Sequence, residues 1–330
     1  MNRCSLPMFA RGGVAIDVSV VLVNFNTANL LERCIGQLRQ AARGLRVQVI
    51  VVDNASADGS LAWLREHLAD GLVLANQINI GFGRANNQAL PHCNGRYVLL
   101  LNTDAFVEAD ALSKTTQFLD SNLRYGVLGA RLIGPNGEQQ PSCRFFPTPL
   151  NVFFGQTGLN RLFPRIGMVD RPGWDPTVVQ ECDWVPGCFY VVRREAIDQV
   201  GLFDPRYFLY SEEVDHCRAV KAAGWGVVYF PGTSVVHLGG ASAKVLGSVT
   251  PQGSQISALQ IESELLYFRK HHGRMGVLAS LLLATLADAI HLLKDLVRTR
   301  SPGGGASHWR HMLTSFAIYK RTAWASRPTR

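Results

Sequence analysis

Several features that would assign a chain to a simple class are missing from these 330 residues. The seven cysteines are odd in number and scattered, with no CxxC pair. This pattern argues against a disulfide framework or a cysteine zinc site and favours a reduced, cytosolic chain. The first residues, MNRCSLPMFARGG, hold no continuous apolar segment, so we expect no signal peptide there. With 47% apolar residues the chain can still fill a large core.

Acidic residues are scarce in the last part of the chain. From Leu266 onward, eleven Lys and Arg face two Asp, a net charge of +9, which leaves −1 for residues 1–265. The apolar run VLASLLLATLADAI (277–290) is too short for a bilayer, which needs about twenty such residues. We therefore predict a basic amphipathic helix on an anionic membrane surface, with a helix packed on the body as the alternative. Its flanking cations are Arg269, Lys270, Arg274, Lys294, Arg298 and Arg300.

Short apolar strands alternate with amphipathic helices in the first 120 residues. Strands are indicated at 18–23, 47–52, 72–75 and the run ending at Leu101, and helices after the first strand, at 61–68 and near 111–119. This alternation predicts a parallel sheet in an α/β layer fold, in which ligands bind beyond the carboxyl ends of the strands. Residues 134–181 lack periodicity and are rich in Pro and Gly, so we expect long loops there that recognise an acceptor.

Three of the predicted strands end in polar residues, namely 24–26 (NFN), 53–54 (DN) and 102–104 (NTD). Such residues are common in turns, because their side chains bond nearby backbone groups. Since all three strand ends would open on one edge of the sheet, we favour a ligand site. A dinucleotide-binding site is excluded, because the first strand–helix turn, NFNTANL, has no glycine, and Gly81-Phe82-Gly83 lies too late and lacks the third glycine.

Seven motifs occur in order between residues 20 and 242: VVLVNFN, VVDNASADGS, NIGFGRANNQAL, LLLNTDAFVE, WVPGCFYVVRREAI, GLFDPRYFLYSEEVDHC and VVHLGGAS. Together they resemble the family-2 inverting glycosyltransferases of the GT-A fold, particularly the bacterial rhamnosyltransferase-like branch. The resemblance implies a Rossmann-like, mostly parallel sheet flanked by helices at 15–245. Within it, 15–133 would bind the nucleotide sugar and 134–245 the acceptor, and the helical tail would follow at 246–330.

The resemblance places a donor site at the strand ends. Asp53 is similar to the family residue that accepts a hydrogen bond from the N3–H of a pyrimidine, with Val23 and Phe25 beside the ring; capping the next turn is its alternative role. Arg84 would face the donor phosphates, or could be an exposed arginine at a helix start. The donor-site residues so implied are Val23, Asn24, Phe25, Asp53, Asn54, Gly81, Phe82, Arg84, Asn87, Asn102, Thr103 and Asp104.

A metal site is implied by the same resemblance. Asp104 matches the last carboxylate of the family's DxD motif, which binds Mg²⁺ or Mn²⁺ across the diphosphate. Asn102 replaces the first acidic residue, so it brings no charge and can instead orient the ribose. His237 matches a histidine that completes the metal shell in some relatives, and a structural histidine is an equal alternative.

In YSEEVDHC (210–217), Glu213 falls where the family keeps its catalytic base, with Glu212 as the second candidate. Both could instead simply favour a helix N-terminus. Trp184 and Gly187 would form a wall of the acceptor site, although Trp184 could also be a core residue.

The implied reaction is a metal-assisted, inverting transfer from a nucleoside diphosphate sugar (a dTDP- or UDP-sugar) to a carbohydrate hydroxyl. The branch suggests L-rhamnose from dTDP-rhamnose, and the tail suggests a polyprenyl-diphosphate-linked acceptor at the inner face of the cytoplasmic membrane, in cell-wall or surface-polysaccharide assembly. Transfer of galactofuranose, mannose or N-acetylglucosamine remains open, as does a catalytically poor nucleotide-sugar- or glycan-binding protein, which Asn102 would suit. We expect no nucleic-acid partner, because the basic residues flank an apolar helix.

Overall fold

The computed structural model describes residues 15–169, 174–239, 258–298 and 304–330. They form two compact units. The first unit draws on Met1–Arg144, Asp175–Asp204 and Glu213–Gly247, and the second on Phe145–Trp174, Pro205–Glu212 and Ser248–Arg330. The predicted boundary at residue 245 and the side chain of Arg300 lie outside the described residues.

A mixed sheet forms the centre of the first unit, with the described strands in the order β3-β2-β1-β4-β8-β6-β9-β5 and β7 paired with β9. The strands are β1 (Ile16–Asn24), β2 (Val47–Asp53), β3 (Leu72–Ala75), β4 (Gly95–Asn102), β5 (Ala105–Val107), β6 (Tyr125–Ile133), β7 (Gln180–Glu181), β8 (Phe189–Arg193) and β9 (Gly226–His237). The helices are α1 (Ala28–Ala41), α2 (Ser60–His67), α3 (Phe82–Ala89), α4 (Ala111–Ser121), α5 (Pro149–Thr157), α6 (Arg194–Val200), α7 (Glu212–Ala222), α8 (Ala258–Arg298) and α9 (Gly304–Arg321).

The predicted parallel half of the sheet is confirmed, since β3, β2, β1 and β4 are all parallel neighbours. The apolar residues of β2, β1 and β4 are mostly buried on both faces, as expected for strands covered by helices, whereas those of the edge strand β3 are half-buried or exposed. In the second half of the sheet β6 and β9 are parallel, whereas β8 runs antiparallel to both β4 and β6. An antiparallel neighbour needs no helical crossover, and the chain reaches β8 through the long aperiodic segment instead.

Helix α1 follows the predicted pattern, with Leu31, Cys34, Ile35 and Leu38 buried on one face. Polar residues such as Asn26 and Thr27 are typical helix caps, but neither caps α1 through its side chain. Thr27 is the N-cap residue but its side chain makes no capping bond, and Asp58 Oδ2 accepts the backbone N–H of Ala28 instead at 2.8 Å. The threonine hydroxyl is thereby left for contacts at the strand ends.

The second unit is helical in its described residues. Helix α5 lies inside the segment expected to be loops, and it begins with Thr148 and Asn151 in a reciprocal capping box. The predicted helix at 277–290 is part of the much longer α8, which bends at Gly273, whose φ is +66°. Among the described residues one stretch, Ala258–Asp295, is long and apolar enough to cross a membrane, judged by length and composition alone. The sequence predicted an apolar segment too short to cross a bilayer, and the length of Ala258–Asp295 does not support that prediction.

Candidate active site

The polar ends of β1, β2 and β4 lie side by side at one edge of the sheet. In the strand register Asn24 is paired with Asp53, and Val23 is paired with both Val52 and Asn102. Asn24 and Asp53 are buried, while Val23 and Phe25 are half-buried. The structure therefore brings together the three strand ends that were predicted to share an edge.

A chain of hydrogen bonds connects these strand ends. Asn24 Nδ2 donates to Asp53 Oδ2 at 2.7 Å, and the backbone N–H of Ser56 donates to Asp53 Oδ1 at 3.0 Å. Thr27 donates to Asn24 Oδ1 at 2.7 Å and lies 2.8 Å from the hydroxyl of Thr103. Asp53 thus caps the turn that follows it, and any contact with a nucleobase would be made by its remaining lone pairs. Thr103 is buried and contacts the protein interior.

Asn54 holds the loop that leads into α3. Its Oδ1 accepts from the backbone of Ile80 at 3.0 Å and from Asn76 Nδ2 at 3.1 Å, while its Nδ2 donates to Asn79 Oδ1 at 2.8 Å. Gly81 ends this loop at φ +89°, a conformation that glycine adopts without strain. Asn54 therefore fixes the shape of this loop, and the half-buried Arg84 follows in the first turn of α3.

The side chain of Asn87 pairs with the backbone of Phe203. Asn87 Nδ2 donates to the Phe203 carbonyl at 2.7 Å, and its Oδ1 accepts from the Phe203 N–H at 3.0 Å. The ring of Phe82, five residues earlier, lies 6.2 Å from the Phe203 ring. Asn87 is therefore engaged in a structural contact, which was not predicted for this donor-site candidate.

Asp104 and His237 meet where β5 pairs with the end of β9. Ala105 is opposite His237 in the register, and His237 Nε2 lies 3.7 Å from Asp104 Oδ1. The other ring nitrogen, Nδ1, lies 3.0 Å from Gln140 Oε1. Burial lowers the pKa of His237 and the nearby Asp104 carboxylate opposes this, so the direction favours a neutral imidazole, the form that binds metals.

The distance between these two side chains would allow one divalent ion to bind both. Each ligand of Mg²⁺ lies about 2.1 Å from the ion, so two ligands can be separated by up to about 4.2 Å. No group of three or more His, Cys, Asp or Glu side chains that could hold a metal was found in the described part of the chain. Mg²⁺ in nucleotide sites commonly takes only one or two carboxylates and completes its shell with phosphates and water. The Asp104–His237 pair is consistent with that mode.

Glu213 lies near the start of α7 with its carboxyl end enclosed by protein. The backbone N–H of Gly187 donates to this carboxylate, and a Cβ placed on Gly187 would lie 3.8 Å from Glu213 Cδ. Glu213 Oε2 is buried and has no hydrogen-bond partner among the described residues. Burial raises the pKa of Glu213, whereas these backbone bonds and the charge of Arg144 lower it. Glu212 is also buried, at the first position of the helix.

Trp184 lies beside Arg144, a residue that the sequence did not single out. The two residues pair through their backbones, with Arg144 N donating to Trp184 O at 3.2 Å, and the Arg144 guanidinium carbon lies 5.0 Å above the Trp184 ring. Thr27 and Gln140 were likewise not predicted as site residues. Gln140 and Arg144 fall in the aperiodic segment, so no spacing or strand end marks either of them.

Comparisons with known proteins indicate which family and fold this chain resembles. The family model described as glycosyl transferase family 2 matches residues 19–170. This segment of the chain, 152 of the 330 residues, is therefore similar to that family. It is 28% identical over 237 residues to the N-acetylglucosaminyl-diphospho-decaprenol L-rhamnosyltransferase of Mycobacterium tuberculosis, covering 66% of this chain and 75% of that one. It is also 26% identical to rhamnosyltransferase WbbL of Escherichia coli, covering 67% and 83%.

Solved structures confirm the GT-A fold of this chain. The mannosyltransferase PcManGT of Pyrobaculum calidifontis, crystallised with GDP-Man and Mn²⁺, superposes with a TM-score of 0.51 at 16% identity over 95% of this chain and 90% of that one. GalNAc-T7, crystallised with UDP, GalNAc and Mn²⁺, superposes with a TM-score of 0.57 at 14% identity over 94% and 58%. At 14% and 16% identity these two structures show the fold alone, and the two sequence relatives named above are rhamnosyltransferases.

Proposed function

We propose that this glycosyltransferase moves L-rhamnose from dTDP-rhamnose, with inversion, to a carbohydrate hydroxyl on a polyprenyl-diphosphate-linked acceptor. Two relatives that match about two thirds of the chain are named rhamnosyltransferases, and one of them carries a decaprenyl-diphosphate acceptor in its name. The observation that carries the mechanism is the buried, unpartnered Oε2 of Glu213.

An inverting displacement needs a base on the face of the sugar opposite the leaving diphosphate. Glu213 is suited to that role, because its buried oxygen would accept the proton of an acceptor hydroxyl that enters the site. The Gly187 N–H anchors the carboxylate, and Trp184 and Arg144 would flank the acceptor. On the donor side Asp104 and His237 would hold Mg²⁺ or Mn²⁺, which when bound stabilises the charge of the departing diphosphate.

Two matched glutamine variants test the base. Glu213→Gln should lower kcat for rhamnosyl transfer at least about a hundredfold with little change in donor affinity, because general-base catalysis contributes ~10²–10⁴-fold. Glu212→Gln should keep most of the rate. The reverse result would assign the base to Glu212, and full activity in both variants would exclude both glutamates as the base. Screening dTDP-rhamnose against UDP- and GDP-sugars in the same assay tests the donor.

The helical tail would place the enzyme on the membrane that carries such an acceptor. In α8 five apolar side chains are exposed, and at 100° per residue they fall within about 80° of one another. In α9 three exposed apolar side chains fall within about 60° of one another. These residues, called the apolar tail face below, are Met275, Leu278, Leu282, Leu286 and Leu293 in α8 and Trp309, Leu313 and Phe316 in α9.

Charge supports a lipid partner for the apolar tail face. Helix α9 contains no Asp or Glu, and Asp288 of α8 is buried against His308 and His311 and does not belong to the apolar tail face. The exposed cations Arg274, Lys294 and Lys320 lie on the same two helices. An apolar row bordered by cations is typical of a helix that lies in the interface of an anionic membrane.

Vesicle binding tests this arrangement. Leu282 is 69% exposed and Leu123, in the first unit, is 70% exposed, so Leu123→Gln is a matched control for Leu282→Gln. The full chain should bind phosphatidylglycerol vesicles more strongly than phosphatidylcholine vesicles, and less strongly at high salt. Leu282→Gln combined with Trp309→Ala should weaken that binding severalfold while Leu123→Gln should not. Equal binding by all three proteins would disprove a membrane role for the apolar tail face.

A further inference from the structure

Both the nitrogen and the oxygen of the Gln140 side-chain amide contact His237. Gln140 Nε2 lies 2.8 Å from the His237 carbonyl oxygen, and Gln140 Oε1 lies 3.0 Å from His237 Nδ1. The glutamine is itself fixed, since its backbone N–H donates to Leu132 O at 2.9 Å and its carbonyl accepts from Ser142 Oγ at 2.9 Å.

These two bonds determine which nitrogen of the imidazole carries the proton. A backbone carbonyl can only accept, so the NH₂ group of Gln140 must face the His237 carbonyl. The amide oxygen then faces Nδ1, and because this oxygen can only accept, Nδ1 must carry a hydrogen. In the neutral ring the lone pair is therefore on Nε2, the atom that lies 3.7 Å from Asp104 Oδ1.

A lone pair that faces a carboxylate oxygen at this distance is an arrangement that a cation between them would stabilise. We infer that Gln140 is a positioning residue, which holds His237 in the Nδ1–H tautomer and presents Nε2 to the divalent ion that Asp104 binds. Metal-binding histidines generally use their second nitrogen in this way, and loss of the outer partner typically weakens metal affinity 10–100-fold. This inference rests on the proposed metal-assisted transfer.

Direct Mn²⁺ binding tests the role without relying on activity. Free Mn²⁺ would be measured by electron paramagnetic resonance in titrations of the full chain, with and without dTDP. Gln140→Met should raise the Kd for Mn²⁺ about 10–100-fold, and His237→Ala should raise it at least as much. Gln48→Met is the matched control, because Gln48 also uses both amide atoms, accepting from Ser19 Oγ and donating to His92 O. The Kd of Gln48→Met for Mn²⁺ should stay within about twofold of that of the original protein.

The tautomer of His237 provides a second measurement. It would not change in a Gln140 variant if Gln140 had only a structural role. Nitrogen-15 spectra of labelled histidine should show the Nδ1–H form at His237 in the original protein and a mixture of tautomers in Gln140→Met. Gln140→Glu keeps an acceptor opposite Nδ1 and should retain more Mn²⁺ affinity than Gln140→Met. An Nε2–H tautomer in the original protein, or unchanged Mn²⁺ binding in a folded Gln140→Met, would overturn the inference. Neither result depends on whether rhamnose is the sugar transferred, which the donor screen decides separately.

Discussion

Thr27 Oγ1 lies 2.8 Å from Thr103 Oγ1, and this contact joins the ends of β1 and β4 below the site. Thr27 also lies 2.7 Å from Asn24 Oδ1, an oxygen that can only accept, so Thr27 donates its proton there. The hydroxyl of Thr103 must then donate to Thr27. Since Asn24 in turn donates to Asp53, the bonds run in one direction from the residue beside Asp104 to the residue proposed to face the nucleobase.

We predict that Thr27→Val disturbs the donor site more than the rest of the fold. The valine has the same shape but breaks the chain in the middle and leaves buried polar groups without partners, which costs about 1–3 kcal/mol. The KM for the donor should rise several-fold and Thr27→Ser should restore it. Thr116→Val is the matched control, because Thr116 is a buried threonine that bonds only to the carbonyls of its own helix. If both valine variants lose the same stability and keep the same KM, the chain has no part in donor binding.

Asn87 should behave as a structural residue. Its amide bonds both backbone atoms of Phe203, so Asn87→Leu should lower the free energy of unfolding by about 1–3 kcal/mol, measured in urea. Donor affinity in the folded variant should change much less. Gln88→Leu is a suitable control, since the neighbouring Gln88 is exposed and bonds through one amide atom to Asn76. A large loss of donor affinity with unchanged stability would instead return Asn87 to the donor site.

The pH dependence of transfer should report the environment of Glu213. A general base must be ionised, and burial raises the pKa of this carboxyl, so activity should fall with decreasing pH at a higher value than an ordinary glutamate would show. The Arg144 charge opposes the shift. Arg144→Gln should therefore move the acidic limb of the kcat profile to higher pH, while Arg144→Lys should leave it nearly in place. Arg39→Gln, which breaks an ion pair with Asp70, serves as the control.

The parallel half of the sheet and its polar edge could be predicted because their signals are local. Apolar runs that end in Asn24, Asp53 and Asn102 mark buried strands and their carboxyl ends, and parallel strands bring those ends together. The pairing of Asp104 with His237 was harder, since 133 positions separate them and the family resemblance supplied the histidine. The structure shows in addition that His237 Nε2 lies 3.7 Å from Asp104 Oδ1.

What the sequence did not predict lies mainly in 134–181. Gln140 and Arg144 act through tertiary contacts with His237 and Trp184, and a contact of that kind leaves no periodic trace in the chain. Helix α5 was missed for a different reason. Its Pro149 was counted as a loop residue, although proline is well suited to the first turn of a helix, where Thr148 and Asn151 form the cap.

Glu264 in the helical tail should make stability depend on pH. Burial raises its pKa to about 7 from 4.5, while the charge of His311 and the hydroxyl of Ser280, 3.4 Å away, act in the opposite direction. The unfolded chain releases this proton near pH 4.5 and the folded protein only near pH 7. Between these values the unfolded state binds fewer protons, so the contribution of Glu264 to stability falls as pH rises and is constant above about 7.

Glu264→Gln removes the loss of stability that accompanies rising pH, because the glutamine amide does not ionise. The variant should therefore gain stability relative to the original protein between pH 5 and pH 8, by roughly 2–3 kcal/mol for a shift of this size. Thermal unfolding at both pH values measures the difference. Glu66→Gln is the control, because the side chain of Glu66 is 77% exposed and its replacement should change Tm equally little at each pH. A difference between Glu264→Gln and the original protein that is the same at pH 5 and pH 8 would show that Glu264 ionises at its ordinary pKa in the folded tail.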